Sequence, residues 1–490
     1  MSVSSSFLKI SGSPLKGVNP QPFFRDLPFD LETARGDGFP PGKDANFGRE
    51  TAFRVLPYSM QDRYDRELIS LEIPSVILEN NFLKAEILPS FGGRIWSLYD
   101  KINKRDLVYK NPVFRLCNLA IRDAWFSGGI EWNIGRLGHS VHTCSPVFAG
   151  LVKDGALQVL RLWEFERQTR LFWRVDLILF DDSPTLFAYV RIENPDAEKK
   201  PLYWWTNTAV PQTAGVRVFS AASDIICIVP GTGKTKTMGG AKLPALPTLP
   251  GADASFPAAS TYSNEYFFQN DKACAGGKKT PWESAVYADG YAFAEASTAP
   301  LVYRKMFCWG AGRGGRRWQE FLSLPGEEYL EVQAGLAPTQ LHTADIERRG
   351  VVDWVQGFGA LPADADKARQ KDYEAARSYI EGLLKKRIAA ESLCAVLAKG
   401  RQLASVPPAE IMAQGTGWGC LEQSRPQGLL FPFSSVGAEE LPWYELQQKG
   451  RLPARQSEEG PGAFLTDPLW APLLEASLRH GSPPNDWLTP

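Results

Sequence analysis

SVILENNFLKAEILPSFGGRIWSLYD, Ser75 to Asp100, is the stretch that decides the fold. Leu83, Ala85 and Ile87 alternate with Lys84 and Glu86, and Trp96 and Leu98 resume the alternation beyond a glycine turn. A period of two with one apolar face is the pattern of half-buried antiparallel strands. Similar short runs, DGALQVLRLWEFE, LFWRVDLILF, TLFAYVRIEN, LYWWTNTAV, ESAVYADGYAFAEAST and EYLEVQAGLA, fill the chain from about Phe53 to Gln340. Nearly three hundred residues of strand and turn without strand–helix–strand alternation predict a large antiparallel β-sandwich.

Outward from that core the pattern changes twice. Residues 1–50 are rich in Gly, Pro and polar residues (GDGFPPGKDANFG) and read as an extended arm ahead of a sandwich over 51–345. After about Asp364 the period becomes helical, with Ala376, Tyr379, Ile380 and Leu383 on one face and charge on the other. Pro407 and Pro408 end that region, and GTGWGCLE, LPWYELQQKG and DPLWAPLLEAS then form a satellite expected to pack back on the sandwich. The closing NDWLTP reads as a cut rather than an end, so 346–490 is a helical linker and satellite ahead of expected helical repeats. Gly231 to Ser260 shows almost no periodicity and reads as a long surface loop.

Composition excludes several partners. A formal net charge of −1 over 490 residues gives no basic footprint for nucleic acid and no polybasic membrane surface. Seven cysteines are scattered singly, with no C-x-x-C pair, and read as free buried thiols. No apolar run has the length of a signal-peptide core or a membrane span, so a soluble cytoplasmic protein is expected.

Tempting motifs fail on their spacing. PGTGKTKT has Ile228 where a phosphate loop needs its first glycine, and KTMGGAKLP suggests no following helix. GRGGRR, Gly312 to Arg317, reads as a basic hairpin turn. His139 and His142, three apart on a loop, do not make a metal site, and no cofactor is expected.

Carboxylates in aromatic settings carry the chemical signal. Glu131 lies in WFSGGIEWNIGRLGHSVH (Trp125 to His142), Glu320 in RRWQEFLS and Glu331 in YLEVQAG. Apolar neighbours tend to bury a carboxyl and raise its pKa toward the range of a general acid. On a strand Glu331 shares a side with Tyr329 and Gln333, a polar and aromatic face suited to a concave binding surface. Arg122 and Asp123 read first as a structural ion pair, with Asp123 a secondary candidate for the site. Of the adjacent Trp204 and Trp205 at most one serves a ligand, because neighbours on a strand face opposite ways.

The segment FLKAEILPSFGGRIWSLYDKINKRDLVYKNPV resembles the opening of the galactose-mutarotase-like superfamily, through the glycine turn Phe91 to Ile95, Asp100 and Asn111-Pro112. NPVF, AIRDAWFSGGIEWNIG, GHS, WWTNTAVP, RRWQEFLS and YLEVQAGLAPTQ together resemble a bacterial family in which such a domain is commonly followed by tetratricopeptide repeats. The likeness covers roughly Pro57 to His342, and GTGWG, LPW and DWLTP extend it. It implies a β-supersandwich whose concave face binds carbohydrate. Epimerases of the superfamily use a late-strand glutamate as base and a middle-strand histidine as acid. Glu331 is similar to that glutamate and His139 to a substrate-positioning histidine, while the middle strand offers Asn207, which cannot transfer a proton as an acid.

These readings converge on a carbohydrate partner and diverge on chemistry. The leading expectation is a glycoside hydrolase in which Glu131, kept protonated by Trp125 and Trp132, is the general acid and Glu331 or Glu320 the base or nucleophile. Arg94, Asp123, His139, His142, Trp205, Asn207 and Gln333 would bind the sugar. The alternatives are a mutarotase whose acid is His139 or His142, and a non-catalytic carbohydrate-binding or scaffolding protein.

Overall fold

In the computed structural model, the described residues are 1–17, 19, 21–24, 33–49, 55–136, 138–229, 236–274, 279–423, 436–437, 439–453 and 468–479. The expected antiparallel supersandwich is what the chain forms: among these residues, a sheet of fourteen strands lies on one of nine.

The strands of the larger sheet that matter for the site are β1 (Ser2–Ser13), β2 (Ile69–Glu79), β3 (Leu83–Leu88), β4 (Arg94–Asp100), β5 (Ile130–Asn133), β6 (Trp205–Pro211), β7 (Asp224–Ile228), β8 (Asn264–Phe268), β9 (Tyr303–Cys308) and β10 (Tyr329–Gly335). They run side by side in the order β7-β8-β9-β10-β6-β5-β4-β3-β2-β1. Ser75 to Asp100 supplies β3 and β4, joined by a tight turn through Gly92 and Gly93 at φ 67° and 69°. Alternation sorts the side chains: Ile130, Trp132, Val210, Met306, Leu330 and Val332 enter the core, and their strand neighbours point to the other face.

The second sheet runs from Arg217–Ser220 through Val351–Pro362 to Glu410–Ala413. Its inner face meets the first sheet through Trp173, Val190, Trp354 and Phe358, and Trp204 stacks edge-on against Trp354 at 5.2 Å. Its outer face carries α2 (Tyr373–Arg387) and α3 (Ala390–Gln402), which follow α1 (Arg313–Leu322) in the chain. Asp372 caps α2 by accepting from the Ala375 amide. Gly400 of α3 lies against the Tyr189 ring, where a Cβ would come within 2.3 Å. Arg161 and Asp176, opposite one another on adjacent strands, form a bidentate pair at 2.7 and 2.8 Å. The same guanidinium donates to the carbonyls of Leu403 and Val406, tying the helical region to the sheet. Trp418, Trp443 and Trp470 of the C-terminal segments pack with Phe148, Trp163 and Phe172.

Three local expectations are corrected. Residues 1–50 are not simply an arm: Ser2–Ser13 pairs along its length with β2, and Thr33–Arg35 joins the far edge of the same sheet. Its serine-rich sequence hid the strand because much of it faces solvent. Gly231 to Ser260 is not one loop, since Lys236–Lys242 pairs antiparallel with β7. The PGTGKTKT motif lies mostly outside the described residues, and the strands flanking it are an antiparallel pair rather than strand and helix. GRGGRR is the first turn and a half of α1, not a hairpin turn. All seven cysteines are free thiols, five of them buried.

Candidate active site

Adjacent strands place the outward-facing residues of the large sheet in rows. One row reads Phe267, Lys305, Gln333, Asn207 and Glu131 across β8, β9, β10, β6 and β5, each directly opposite the next. The next reads Glu265, Phe307, Glu331 and Ala209. Over them lies a cavity of about 110 Å³, walled by Leu119, Trp125, His139, Phe307 and Trp309 and floored by Asn207, Glu265, Lys305, Glu331, Gln333 and Gln340.

Hydrogen bonds fix the floor. Lys305 Nζ donates to Glu265 Oε1 at 3.0 Å and to Gln340 Oε1 at 2.6 Å. Gln340 Nε2 donates to Gln333 Oε1 at 3.0 Å, and Gln333 Nε2 to Glu331 Oε2 at 2.6 Å. Asn207 Nδ2 donates to the Gly138 carbonyl at 3.0 Å, while its buried Oδ1 takes no hydrogen bond among the described residues. Burial pushes the Glu331 carboxyl above the ordinary range, opposed by Lys305 and His139 and reinforced by the negative Glu131.

Glu131 stands behind this cavity and not on its wall. Its Oε1 meets Arg94 Nη2 at 3.0 Å and accepts from Thr143 Oγ1 at 2.5 Å. Its Oε2 accepts from Trp125 Nε1 at 3.2 Å and lies 3.5 Å from His139 Nδ1. Burial alone would raise this carboxyl, but Arg94, His139 and Thr143 outweigh it and hold the group at about 2. Arg94 is held in turn by the Phe126 and Gly128 carbonyls at 2.6 and 3.1 Å. The local sequence makes this possible: at Gly129, φ 72°, a Cβ would sit 2.0 Å from the Ile95 carbonyl oxygen, so only glycine lets β5 start against β4.

The structure therefore sorts the sequence-predicted residues. Trp125, His139, Asn207, Glu331 and Gln333 meet at the cavity, with Glu131 and Arg94 immediately behind Trp125 and His139. Glu131 is not a protonated acid, because it is paired with a buried guanidinium. Trp132 does not shield it: alternation turns that indole into the core, where Nε1 donates to the Gly93 carbonyl. Glu320 sits on α1, half exposed and paired with Arg317 at 2.8 Å, away from the cavity. His142 is buried between Tyr58 and Trp173, at 6.1 and 5.9 Å, and burial with the nearby Arg122 and Arg167 holds its imidazole at about 3. It is a neutral core residue, not a sugar contact. Trp205 packs on Phe267 and beneath Gly335 instead of lining the cavity. Asp123 turns at φ 61° and its carbonyl accepts from Tyr64, while the Arg122 guanidinium reaches Ser59, Val141 and Ser145.

Sequence reasoning missed Glu265, Lys305, Phe307, Trp309 and Gln340. A lysine alternating with Tyr303 and Phe307 was the available signal for one of them.

One solved structure shares the architecture. The chain is 18% identical to a TPR-domain containing protein from Parabacteroides distasonis, with a TM-score of 0.58 over 76% of this chain, and it spans 57% of the length of that one. It also matches a galactose mutarotase-like protein from Clostridium acetobutylicum at 10% identity and a TM-score of 0.42, over 59% of this chain and 95% of that one. A galactose mutarotase-like protein from Lactobacillus casei matches at 10% identity and 0.40, over 58% and 99%. The sequence model described as Domain of unknown function (DUF5107) matches residues 51–352, more than half of the chain, and the chain belongs to that family.

Proposed function

We propose that the cavity takes the reducing end of a sugar and interconverts its anomers, with Glu331 as base and His139 as acid. The observation that carries this reading is that both groups line one small cavity while Glu131 Oε2 lies 3.5 Å from Nδ1 of His139. A carboxylate beside Nδ1 orients the ring and leaves Nε2 as the nitrogen for substrate.

The step balances without a co-reactant. Glu331 removes the proton from the anomeric hydroxyl, the C1–O5 bond breaks, and O5 keeps the electron pair and takes the proton of His139. Rotation about C1–C2 and the reverse transfers close the ring as the other anomer. Burial of Glu331 suits the role, because a base works best as its pKa approaches the working pH. Phe307, Trp125 and Trp309 offer apolar faces to the ring, and Asn207, Gln333 and Gln340 offer partners to its hydroxyls. The cavity, about 110 Å³ against roughly 300–1,000 Å³ for pockets of drug-sized ligands, suits a single ring. The hydrolase reading assigned proton donation to Glu131, and that carboxylate is ionised and set behind the wall.

Exchange NMR on a panel of free aldoses tests the proposal. The native protein should accelerate anomer exchange for at least one sugar, and Glu331→Gln and His139→Gln should each lower kcat by about 100-fold or more. Cleavage of aryl glycosides without any acceleration of anomer exchange would refute it.

A further inference from the structure

We propose that α1 carries a second sugar-binding platform, built on Trp318, so that the substrate is the reducing end of an oligosaccharide rather than a free monosaccharide. The inference deepens the reading of the cavity as a reducing-end site and rests on it.

An aromatic ladder leads out of the cavity. Phe307 and Trp309 both line it and meet edge to face at 5.0 Å. Trp309 is nearly buried, and on it Trp318 lies at 6.2 Å with the rings 30° from parallel. Trp318 is 39% exposed, and Phe321, 41% exposed, stands edge-on to it at 5.9 Å. One wall of a one-ring cavity is thus continued at the surface by a flat ring that the fold leaves in water. Exposed large aromatics grouped in this way mark binding surfaces.

The fold fixes the ladder. A Cβ on Gly315 would lie 2.1 Å from the Gly310 carbonyl oxygen and 2.2 Å from that of Trp309, and one on Gly312 would lie 2.2 Å from that of Thr261. The glycines of GRGGRR therefore let the first turn of α1 lie directly on the backbone of the cavity's rim. The Phe321 ring is covered in turn by Arg66, 3.9 Å from its centroid.

The chemistry of the platform indicates its occupant. Arg317 is paired with Glu320 on the same helix, and Arg316 lies 4.0 Å from Glu328, so both arginines next to Trp318 in sequence have a carboxylate partner. A flat aromatic platform next to a sugar-sized cavity fits the C–H face of a second pyranose. The cavity itself has room for one ring, and the chain of the sugar must leave it past a wall.

The test compares glucose with maltose and cellobiose, and galactose with its β-1,4-linked disaccharide, by exchange NMR on the full chain. The disaccharide is expected to exceed its monosaccharide in kcat/KM by about tenfold, a stacking contribution of ordinary size. Trp318→Ala should collapse that ratio toward one, and Trp318→Phe should keep most of it. An unchanged ratio in Trp318→Ala, or no advantage for disaccharides while monosaccharides still exchange, overturns the platform and leaves the proposed function standing. If no sugar is turned over, saturation-transfer NMR on the same ligands separates the two ideas. Disaccharide binding weakened by Trp318→Ala then supports the platform and removes the chemistry. Self-association seen in sedimentation and abolished by Trp318→Ala would assign the face to a second copy and overturn the proposal.

Discussion

Replacing Glu131 by glutamine removes one negative charge from a nearly solvent-free setting and leaves the shape of the side chain almost intact. In the folded protein the carboxyl is held at about 2, against an ordinary value of 4.5, by Arg94, His139 and Thr143 acting against burial. A carboxyl whose folded pKa is depressed adds stability above its unfolded pKa and loses it as the pH falls toward the folded one. The gap is worth about 3 kcal/mol at neutral pH, at 1.36 kcal/mol for each tenfold change in affinity for the proton. Glutamine mimics the protonated acid, so Glu131→Gln should be less stable than the native chain by about that amount. The figure agrees with the roughly 3–5 kcal/mol of breaking a buried pair by removing one partner.

The pH dependence separates this account from a simple packing defect. The difference between the two proteins should be full at pH 6 to 7, begin to close below about 4.5, and fall to about 1 kcal/mol at pH 3. His142, whose folded pKa is also depressed, weakens both proteins below about pH 6.5, and its effect cancels in the difference. Urea unfolding at fixed pH values, followed by tryptophan fluorescence with the slope checked for constancy, measures the difference directly. A gap that stays constant from pH 7 to 3, or one under about 0.5 kcal/mol at neutral pH, would refute the assignment of Glu131 as an ionised partner of Arg94.

Other outcomes follow from the same geometry. Because burial raises Glu331, the acid limb of kcat/KM for anomer exchange should have its midpoint above 4.5 and should vanish with the residual rate of Glu331→Gln. Gly129→Ala drives a Cβ toward the Ile95 carbonyl at a positive φ and should cost about 3 kcal/mol, measured as a lower urea midpoint. Asp176→Asn strips the buried partner from Arg161, which also holds the Leu403 and Val406 carbonyls, and should cost roughly 3–5 kcal/mol with earlier proteolysis of the helical region. Asn207→Ala gives up one hydrogen bond to Gly138 but also a buried acceptor without a partner among the described residues, so stability should change by less than about 1 kcal/mol while sugar affinity falls about tenfold.

Much of the architecture was legible because it is local. Alternation in Leu83 to Leu98 and in Tyr329 to Gly335 reports which face each side chain takes, and it placed Glu331 beside Gln333. The same rule applied to Ile130–Asn133 would have turned Trp132 away from Glu131, but four residues after a glycine turn are too few to announce a strand. The site's electrostatics were not legible, since Arg94 reaches Glu131 only through the register that sets Ile130 opposite Ile95. Lys305 and Glu265 enter from strands that carry no motif at all. GRGGRR misled because glycine signals a turn when read locally, whereas here its lack of a Cβ serves the close packing of a helix on distant backbone.

The pair of Glu131 and Arg94 is not explained by stability. Replacing a buried ion pair as a whole by well-packed apolar side chains is commonly neutral or stabilising, because two desolvated charges cost about as much as their attraction returns. What no apolar pair supplies is a fixed acceptor. Glu131 Oε2 meets both Trp125 Nε1 and His139 Nδ1, and these two residues form adjacent parts of the cavity wall, 5.6 Å apart and nearly edge to face. Removing the charge should therefore loosen the wall as well as the fold. Two glutamates on one face of one sheet have been driven in opposite directions: Glu331 toward its neutral form by burial, Glu131 toward its ionised form by a guanidinium. The proposed division of labour would follow from it, with the raised carboxyl on the cavity floor as base and the depressed one beside the histidine proposed as acid.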